Sequence, residues 1–297
     1  MTSVAITGAS GFLGSALGKA LESDGVRVIR IGRGRDANVL WDPNAGRLDG
    51  TQLRGADAVV HLAGENIAQR WTDRARREIK ESRVRGTSLI ARTLASLHDG
   101  PRVLVSASAV GVYGAHRGDE LLTEASTLGG DFMGSIAKEW EDAAQPAREA
   151  GLRVVHNRTG IVLHPSGGVL QRLVPIFSLG GGGRIGSGRQ WMPWVARSDW
   201  VRAIRFLLDV KVEGPFNVAA PNPATNAEFT AALGRVLKRP TLAVVPEFAV
   251  KLAFGQMGKD TVLASQRMVP GRLLAAGFRF DFPDLEAALR YELAKPN

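Results

Sequence analysis

An apolar run entering a glycine turn and then a helical pattern, strand-and-helix alternation behind it, and a last third of different texture together predict an α/β fold. The expected architecture is a doubly wound parallel sheet of Rossmann type with a small mixed C-terminal substrate domain. The first observation is the N-terminus. Val4, Ala5 and Ile6 lead into Thr7, Gly8, Ala9, Ser10, Gly11, Phe12, Leu13 and Gly14, and Leu13, Leu17, Ala20 and Leu21 then recur at the spacing of a buried helical face. That order is what a dinucleotide pyrophosphate requires. Gly8 allows the tight turn, Gly11 lets the backbone approach the phosphates, and Gly14 lets helix pack close on strand, while the helix N-terminus presents unpaired N–H groups.

The second observation is the alternation. Strand-like runs at Val26–Ile31, Ala58–Leu62, Arg102–Ser106 and Leu152–Val155 are separated by segments long enough for helices, such as Asp73–Leu97 and Phe132–Glu149. The third is the change beyond about Leu163. Gly180–Gly183 and Gly186–Gly188, followed by Trp191, Pro193 and Trp194, read as a loop-rich insertion, and ligands in such folds bind beyond the carboxyl ends of the strands. Ser198 and Asp199 open a helix through Leu208, with Asp199 as its N-terminal cap or dipole partner, and Phe216–Ala219 reads as a returning strand. The expected division is a nucleotide domain over 1–165, completed by about 197–222, and a smaller substrate domain from 166–196 and 223–297.

Composition excludes several function classes. The 297 residues are 44% hydrophobic and 23% charged, ordinary for a globular chain. No apolar run approaches the ~20 residues that span a bilayer, and the N-terminus lacks the pattern of a secretory signal, so a soluble cytoplasmic protein without a membrane partner is expected. The absence of cysteine removes disulfides, thiol catalysis and cysteine metal sites. A net charge of +9 raises nucleic acid as a partner, but the densest basic segment, Arg70 to Arg85, is interleaved with Asp73, Glu78 and Glu81 as a solvated helix face would be, and no nucleic-acid partner is expected. His61, His98, His116, His156 and His164 show no metal-ligand spacing, so no metal is expected.

The end of the second strand bears on which dinucleotide fits. An acidic residue there holds the ribose 2′-hydroxyl of NAD, whereas arginine accommodates a 2′-phosphate. The chain offers Arg33 and Arg35, with no carboxylate until Asp36, and a guanidinium fork suits phosphate. NADP(H) is therefore the expected cofactor.

These motifs resemble the extended short-chain dehydrogenase/reductases: Thr7 to Gly14, then His61-Leu62-Ala63-Gly64, Ser106-Ala107-Ser108 and Val112-Tyr113-Gly114. More narrowly, the chain is similar to that superfamily's atypical epimerase family. The matching pieces include Gly64-Glu65-Asn66-Ile67, Arg70-Trp71, Ser82-Arg83, Arg158-Thr159-Gly160-Ile161-Val162-Leu163, Gly186-Ser187-Gly188-Arg189-Gln190-Trp191, Asn217 with Ala220-Pro221-Asn222-Pro223, and Pro270-Gly271-Arg272-Leu273-Leu274 with Gly277-Phe278. The resemblance spans essentially the whole chain and implies an NADP(H)-dependent oxidoreductase or epimerase-like enzyme acting on a small carbonyl, alcohol or sugar-like substrate. It implies cofactor contacts from Thr7, Gly8, Ser10, Gly11, Phe12, Leu13, Gly14, Arg33, Arg35, Leu62, Ala63, Gly64, Ser106 and Arg158. Glu65, Arg189, Trp191 and Trp194 are the expected substrate contacts.

The catalytic apparatus departs from the superfamily. Its active members use a tyrosine and a lysine four residues apart on one helix face, with a serine or threonine at a strand end; lysine and cofactor lower the phenol's pKa while hydride moves to or from nicotinamide. Here the segment reads Phe132-Met133-Gly134-Ser135-Ile136-Ala137-Lys138, so Lys138 takes the lysine position and Gly134 falls on the tyrosine position. Tyr113 and Tyr291 are the only tyrosines. One reading gives Ser108 or Ser106 the substrate oxygen, Tyr113 or a water the proton, and Lys138 the nicotinamide ribose. The other is a catalytically silent NADP(H)-binding protein that reports redox state to a partner.

Overall fold

The computed structural model describes residues 1–294. The chain begins β1 (Ser3–Thr7), α1 (Phe12–Ser23), β2 (Arg27–Gly32), β3 (Val39–Asp42), β4 (Arg47–Leu48), β5 (Ala58–His61) and α2 (Asp73–Ala95). It continues through β6 (Val103–Ala109), β7 (His116–Leu122), α3 (Phe132–Asp142), α4 (Gln145–Glu149), β8 (Arg153–Thr159), β9 (Ile161–Leu163) and α5 (Gly168–Ser178). Then come β10 (Gly183–Ile185), β11 (Trp191–Met192), β12 (Trp194–Ala196), α6 (Arg197–Asp209), β13 (Gly214–Val218), β14 (Ala224–Thr225) and α7 (Asn226–Leu237). The last elements are β15 (Ala243–Val245), α8 (Glu247–Met257), β16 (Ser265–Met268), α9 (Gly271–Ala275) and α10 (Leu285–Ala294).

Eight strands form the main sheet in the order β13-β8-β6-β5-β1-β2-β3-β4. All pairings are parallel except β3 with β4. Every residue of β1 and β5 is buried, and each strand carries an apolar run, Val4 to Ile6 and Ala58 to Val60, as strands covered on both faces do. The pleat sorts them. Val4, Ile6, Val60 and Val105 pack with Leu17 and Leu21 of α1 and Trp200, Ile204 and Leu207 of α6, while Ala5, Val59 and Leu104 pack with Leu89, Ile90 and Leu94 of α2. Each fully buried leucine or isoleucine contributes about 2 kcal/mol by removal from water.

The chain order reverses at β1, with β2 on one side and β5 on the other. That switch point leaves a crevice beyond the carboxyl ends of β1 and β5, which is where open α/β sheets hold ligands.

Several boundaries differ from expectation, each for a local reason. The helix expected over Phe132–Glu149 is two, α3 and α4, with Pro146 in the first turn of the second. The stretch beyond Leu163 is not all loop: it holds α5 and short strands, and α5 runs through Pro175. A third core cluster binds this stretch to the C-terminal helices. Leu163, Leu170, Phe177 and Trp194 pack with Phe229 and Leu233 of α7 and Leu289 of α10, and α7 is opened by a reciprocal capping box between Thr225 and Glu228. Leu273 and Phe278, by contrast, pack into the core of the main sheet, so the C-terminal segment touches both cores. Among the described residues, no helix is long and apolar enough to cross a membrane.

Candidate functional site

The β1–α1 turn is shaped by backbone approach. Gly8 sits at φ +66°, and Gly11 N donates to Gly8 O at 2.9 Å. A Cβ on Gly14 would lie 2.1 Å from Gly8 O, so only glycine lets the first turn of α1 close onto the strand end. Gly11 caps α1 without a side-chain hydrogen bond, and the first turn carries no acidic residue. The helix therefore presents its positive end and unused N–H groups to whatever enters the crevice.

That crevice is a cleft of about 980 Å³. Gly8, Ala9, Ser10 and Gly11 form one wall, Leu62, Ala63, Gly64 and Glu65 a second, and Arg33, Gly34 and Asp36 after β2 a third. Trp41, Pro43 and Asn44 from the β3–β4 edge, with Arg30 of β2 and Glu78, Glu81, Ser82 and Arg85 of α2, complete it. Sequence reasoning assigns no site role to this last group, and apart from Ser82 its members belong to no quoted motif, because they reach the cleft by tertiary placement. The cationic groups differ in availability. Arg30 pairs with Glu22 and Arg85 with Glu81, whereas Arg33 has no ion pair among the described residues. Arg35 does not line the cleft.

Thr7 lies behind the wall, fully buried. Its Oγ1 accepts from Leu62 N at 3.0 Å and Ala63 N at 3.1 Å and stands 2.7 Å from His61 Nδ1. Phe12 points the other way, against the backbone of Gly167 and beside Arg197, and Leu13 packs on the core of the main sheet. The loop Gly64–Glu65 is tied to α2, since Glu65 N donates to Ser82 Oγ at 2.9 Å and Arg83 Nη1 donates to Glu65 O at 2.9 Å.

The residues expected to carry catalysis, and with them Ser106 and Arg158 of the expected cofactor contacts, do not line this cleft. Ser108, Arg158 and Tyr113 belong to one buried network. Ser108 Oγ donates to Glu141 Oε1 at 2.7 Å, Arg158 grips the same carboxylate through Nε and Nη2 at 2.8 Å each, and Arg158 Nη1 donates to the Tyr113 hydroxyl at 3.0 Å. Tyr113 in turn donates to Asn217 Oδ1 at 2.7 Å. Burial pushes the Tyr113 phenol up, with Arg158 opposing it only in part, which is the wrong direction for a proton-transfer tyrosine. Burial alone would raise the Glu141 carboxyl, but the Arg158 fork outweighs it and holds it below its ordinary value. Ser106 is fully buried and makes only a 3.4 Å contact to Ala107 O. None of these four lines the cleft.

Lys138 is exposed and donates to Asp142 at 2.6 Å on its own helix. The inward side of α3 is Met133, Gly134, Ile136, Ala137 and Trp140, so Lys138 stands about 100° of helical rotation past Ala137. Gly134 meets backbone rather than ligand. A Cβ there would lie 2.3 Å from Gly129 O, and one on Gly129 would lie 2.4 Å from the Gly114 Cα. Three glycine backbones thus stack where the tyrosine was expected, and no side chain fits.

The four expected substrate contacts are not brought together. Glu65 is on the cleft wall; Arg189 lines a separate cavity; Trp191 is half-buried, donates its indole N–H to Asp119 at 2.7 Å and is covered by Arg267. Trp194, expected to touch substrate, is fully buried in the third core and donates to Asn222 O at 3.0 Å. Among the described residues, no group of three or more His, Cys, Asp or Glu side chains is arranged to hold a metal.

Comparison with known proteins adds to this geometry. Residues 4–219 match the NAD dependent epimerase/dehydratase family, and residues 245–292 match a domain of unknown function. An epimerase family protein of Mycobacterium tuberculosis is 42% identical over 298 residues, covering 99% of this chain and 98% of that protein. The crystal structure of human epimerase family protein SDR39U1 with NADPH superposes with a TM-score of 0.90 at 33% identity, covering 98% of each chain. A nucleoside-diphosphate sugar epimerase of Corynebacterium glutamicum gives 0.80 at 37% identity, covering 98% of this chain and 58% of that one. With the glycine turn, the parallel sheet and these matches in agreement, the chain belongs to the NAD dependent epimerase/dehydratase family.

Proposed function

We propose that the protein binds NADP(H) in the cleft at the switch point and works as an NADP(H)-dependent oxidoreductase on a small carbonyl, alcohol or sugar-like substrate. The observation that carries the reading is the placement of Arg33. It is a cation without an ion pair among the described residues, on the same cleft as the open N-terminus of α1, where a 2′-phosphate would find a guanidinium partner. The residues present fit the cofactor: the Gly8–Gly11 turn offers backbone donors to a pyrophosphate, and the glycine at 14 keeps that turn closed. Crystallisation of human SDR39U1 with NADPH supports the same reading. Asp36 shares the wall with Arg33, so the choice between NADP and NAD is a contest of those two side chains.

When bound, the nicotinamide supplies or accepts hydride. The chain's own part is to seat the dinucleotide and exclude water from its inner wall, where Leu62, Ala63 and Gly64 are held by Thr7 and Arg83. Because Ser108 and Tyr113 are committed to Glu141 and Asn217, the proton that a reduced carbonyl takes up, or that an oxidised alcohol gives up, is exchanged with water.

That same commitment favours the second reading, a catalytically silent NADP(H)-binding protein that reports redox state. Single-turnover oxidation of bound NADPH across a panel of carbonyl compounds separates them. Consumption with any member supports the oxidoreductase; tight binding with no consumption supports the silent protein; absence of NADPH binding removes both.

A further inference from the structure

The stretch from Leu242 to Val245 is apolar without being buried. It carries no charge, Leu242 is 90% exposed, and Val244 and Val245 stand open beside it. β15 pairs only with β10, in parallel, and the two backbones are close: a Cβ on Gly183 would lie 2.2 Å from Ala243 O. The opposite edge of β10 is sealed, since Ile185 N donates to Asn226 Oδ1 of α7 at 2.8 Å. Among the described residues, the outer edge of β15 has no hydrogen-bond partner. An open edge with no charge or proline inside it is a template for another strand.

Neighbouring side chains widen the patch on both sides. Arg239 Nε donates to Ser178 O at 2.8 Å, which sets Leu179, 90% exposed after the end of α5, beside the approach to β15. On α8, Phe248 and Leu252 lie four residues apart on one outward face, 71% and 84% exposed, while Val250 anchors the helix inward. At about 100 Å² for each fully exposed side chain of this size, these residues with Ile176, Val244 and Val245 present about 450 Å² of apolar surface. Specific interfaces are about 60% apolar, so a contact centred here buries about 750 Å² on each side, close to the roughly 800 Å² per partner of a standard complex.

A second copy of the chain meets both demands at once. A two-fold axis at Val244, the middle residue of β15, joins the two open edges antiparallel and sets the two apolar patches face to face. Because Asn226 closes β10, the resulting sheet of four strands keeps no free edge, and assembly stops at two copies. We propose that the protein forms a two-fold symmetric dimer through the outer edge of β15 and the exposed face of α8. This surface shares no residue with the cofactor cleft, so the proposal does not rest on the cofactor reading.

Sedimentation velocity of the full chain between about 1 and 100 µM tests it. The wild type is compared with Leu242→Lys/Leu252→Lys and with a control, Leu40→Lys/Leu274→Lys, which alters two exposed leucines outside the patch; thermal melting verifies folding of each. The expected result is a wild-type dimer whose dissociation constant rises by roughly a hundredfold or more in the patch variant and is unchanged in the control. Raising the salt concentration is expected to tighten the dimer, since each copy carries a net charge of +9. A second measurement introduces no charge. The chain has no cysteine, and opposed residues of an antiparallel pair stand about 5 Å apart, within disulfide reach, so Val244→Cys is expected to cross-link on mild oxidation and Leu40→Cys is not. A wild type that stays monomeric overturns the proposal, and its cosedimentation with phosphatidylglycerol vesicles would assign the patch to lipid instead. A dimer that survives the patch variant, one lost equally in the control, or a Val244→Cys protein that does not cross-link overturns it as well.

Discussion

Thr7 Oγ1 and His61 Nδ1 stand 2.7 Å apart at the paired ends of β1 and β5, and their protons can be assigned. The Thr7 oxygen already accepts from Leu62 N and Ala63 N, so its two lone pairs are used and its single hydrogen must go to Nδ1. His61 is therefore the neutral tautomer with hydrogen on Nε2, which agrees with burial pushing its pKa down to about 4. The pair closes the switch point from behind, so the inner wall of the cofactor cleft is set by two residues that do not line it.

Replacing Thr7 with valine keeps the volume and removes the hydroxyl. The Ala63 N–H and the His61 Nδ1 then lack a partner, while Leu62 N keeps its 3.3 Å bond to the Thr7 carbonyl, and the expected loss of stability is about 2 kcal/mol. Urea denaturation of Thr7→Val against the wild type measures it; a change below about 1 kcal/mol would mean the hydroxyl is dispensable.

Acid sensitivity follows from the same chemistry. His61 and His156 both have pKa values lowered by burial to about 4 from an ordinary 6.5. The unfolded chain therefore binds more protons than the folded one between those values, and stability falls as pH drops from 6.5 toward 4, after which these two groups add no further loss. At pH 5 each contributes a loss of about 2 kcal/mol relative to neutral pH. Equilibrium unfolding between pH 7 and pH 5 reads this, and a flat profile contradicts the neutral buried assignment.

Gly134 offers a sharper test of the catalytic argument. A glycine that merely lacks the tyrosine would tolerate its return, whereas one pressed on the Gly129 backbone would not. Gly134→Ala is expected to destabilise by about 3 kcal/mol, and Gly134→Tyr to fold poorly rather than gain activity. A stable Gly134→Tyr protein with faster NADPH turnover would restore the position to catalysis.

The fold was legible wherever local periodicity carried it. The strand of Val4 to Ile6, the glycine turn and the helical face of Leu17 and Leu21 depend on neighbours in sequence, and the structure has them there. The candidate site was only half legible, for a related reason. Ser108 finds its partner 33 residues away and Tyr113 finds Asn217 104 residues away, so nothing local distinguished a strand-end hydroxyl at a substrate from one satisfied inside a buried network. Lys138 shows the same limit on α3, since helical spacing alone does not say which side of the helix the sheet covers. It follows the inward Ala137 by one position and faces solvent, paired with Asp142, and its replacement by alanine is expected to leave NADPH affinity unchanged and to shift stability by no more than about 0.5 kcal/mol, as equilibrium dialysis and melting would check.

The central claim is that Arg33 makes this cleft a site for NADP(H). Fluorescence titration of the wild-type chain and Arg33→Ala with NADPH and with NADH tests it most directly. The expected result is a preference for NADPH in the wild type that falls by roughly tenfold or more in Arg33→Ala, with NADH affinity unchanged. A wild-type chain that prefers NADH, or a variant that loses both cofactors equally, would contradict it.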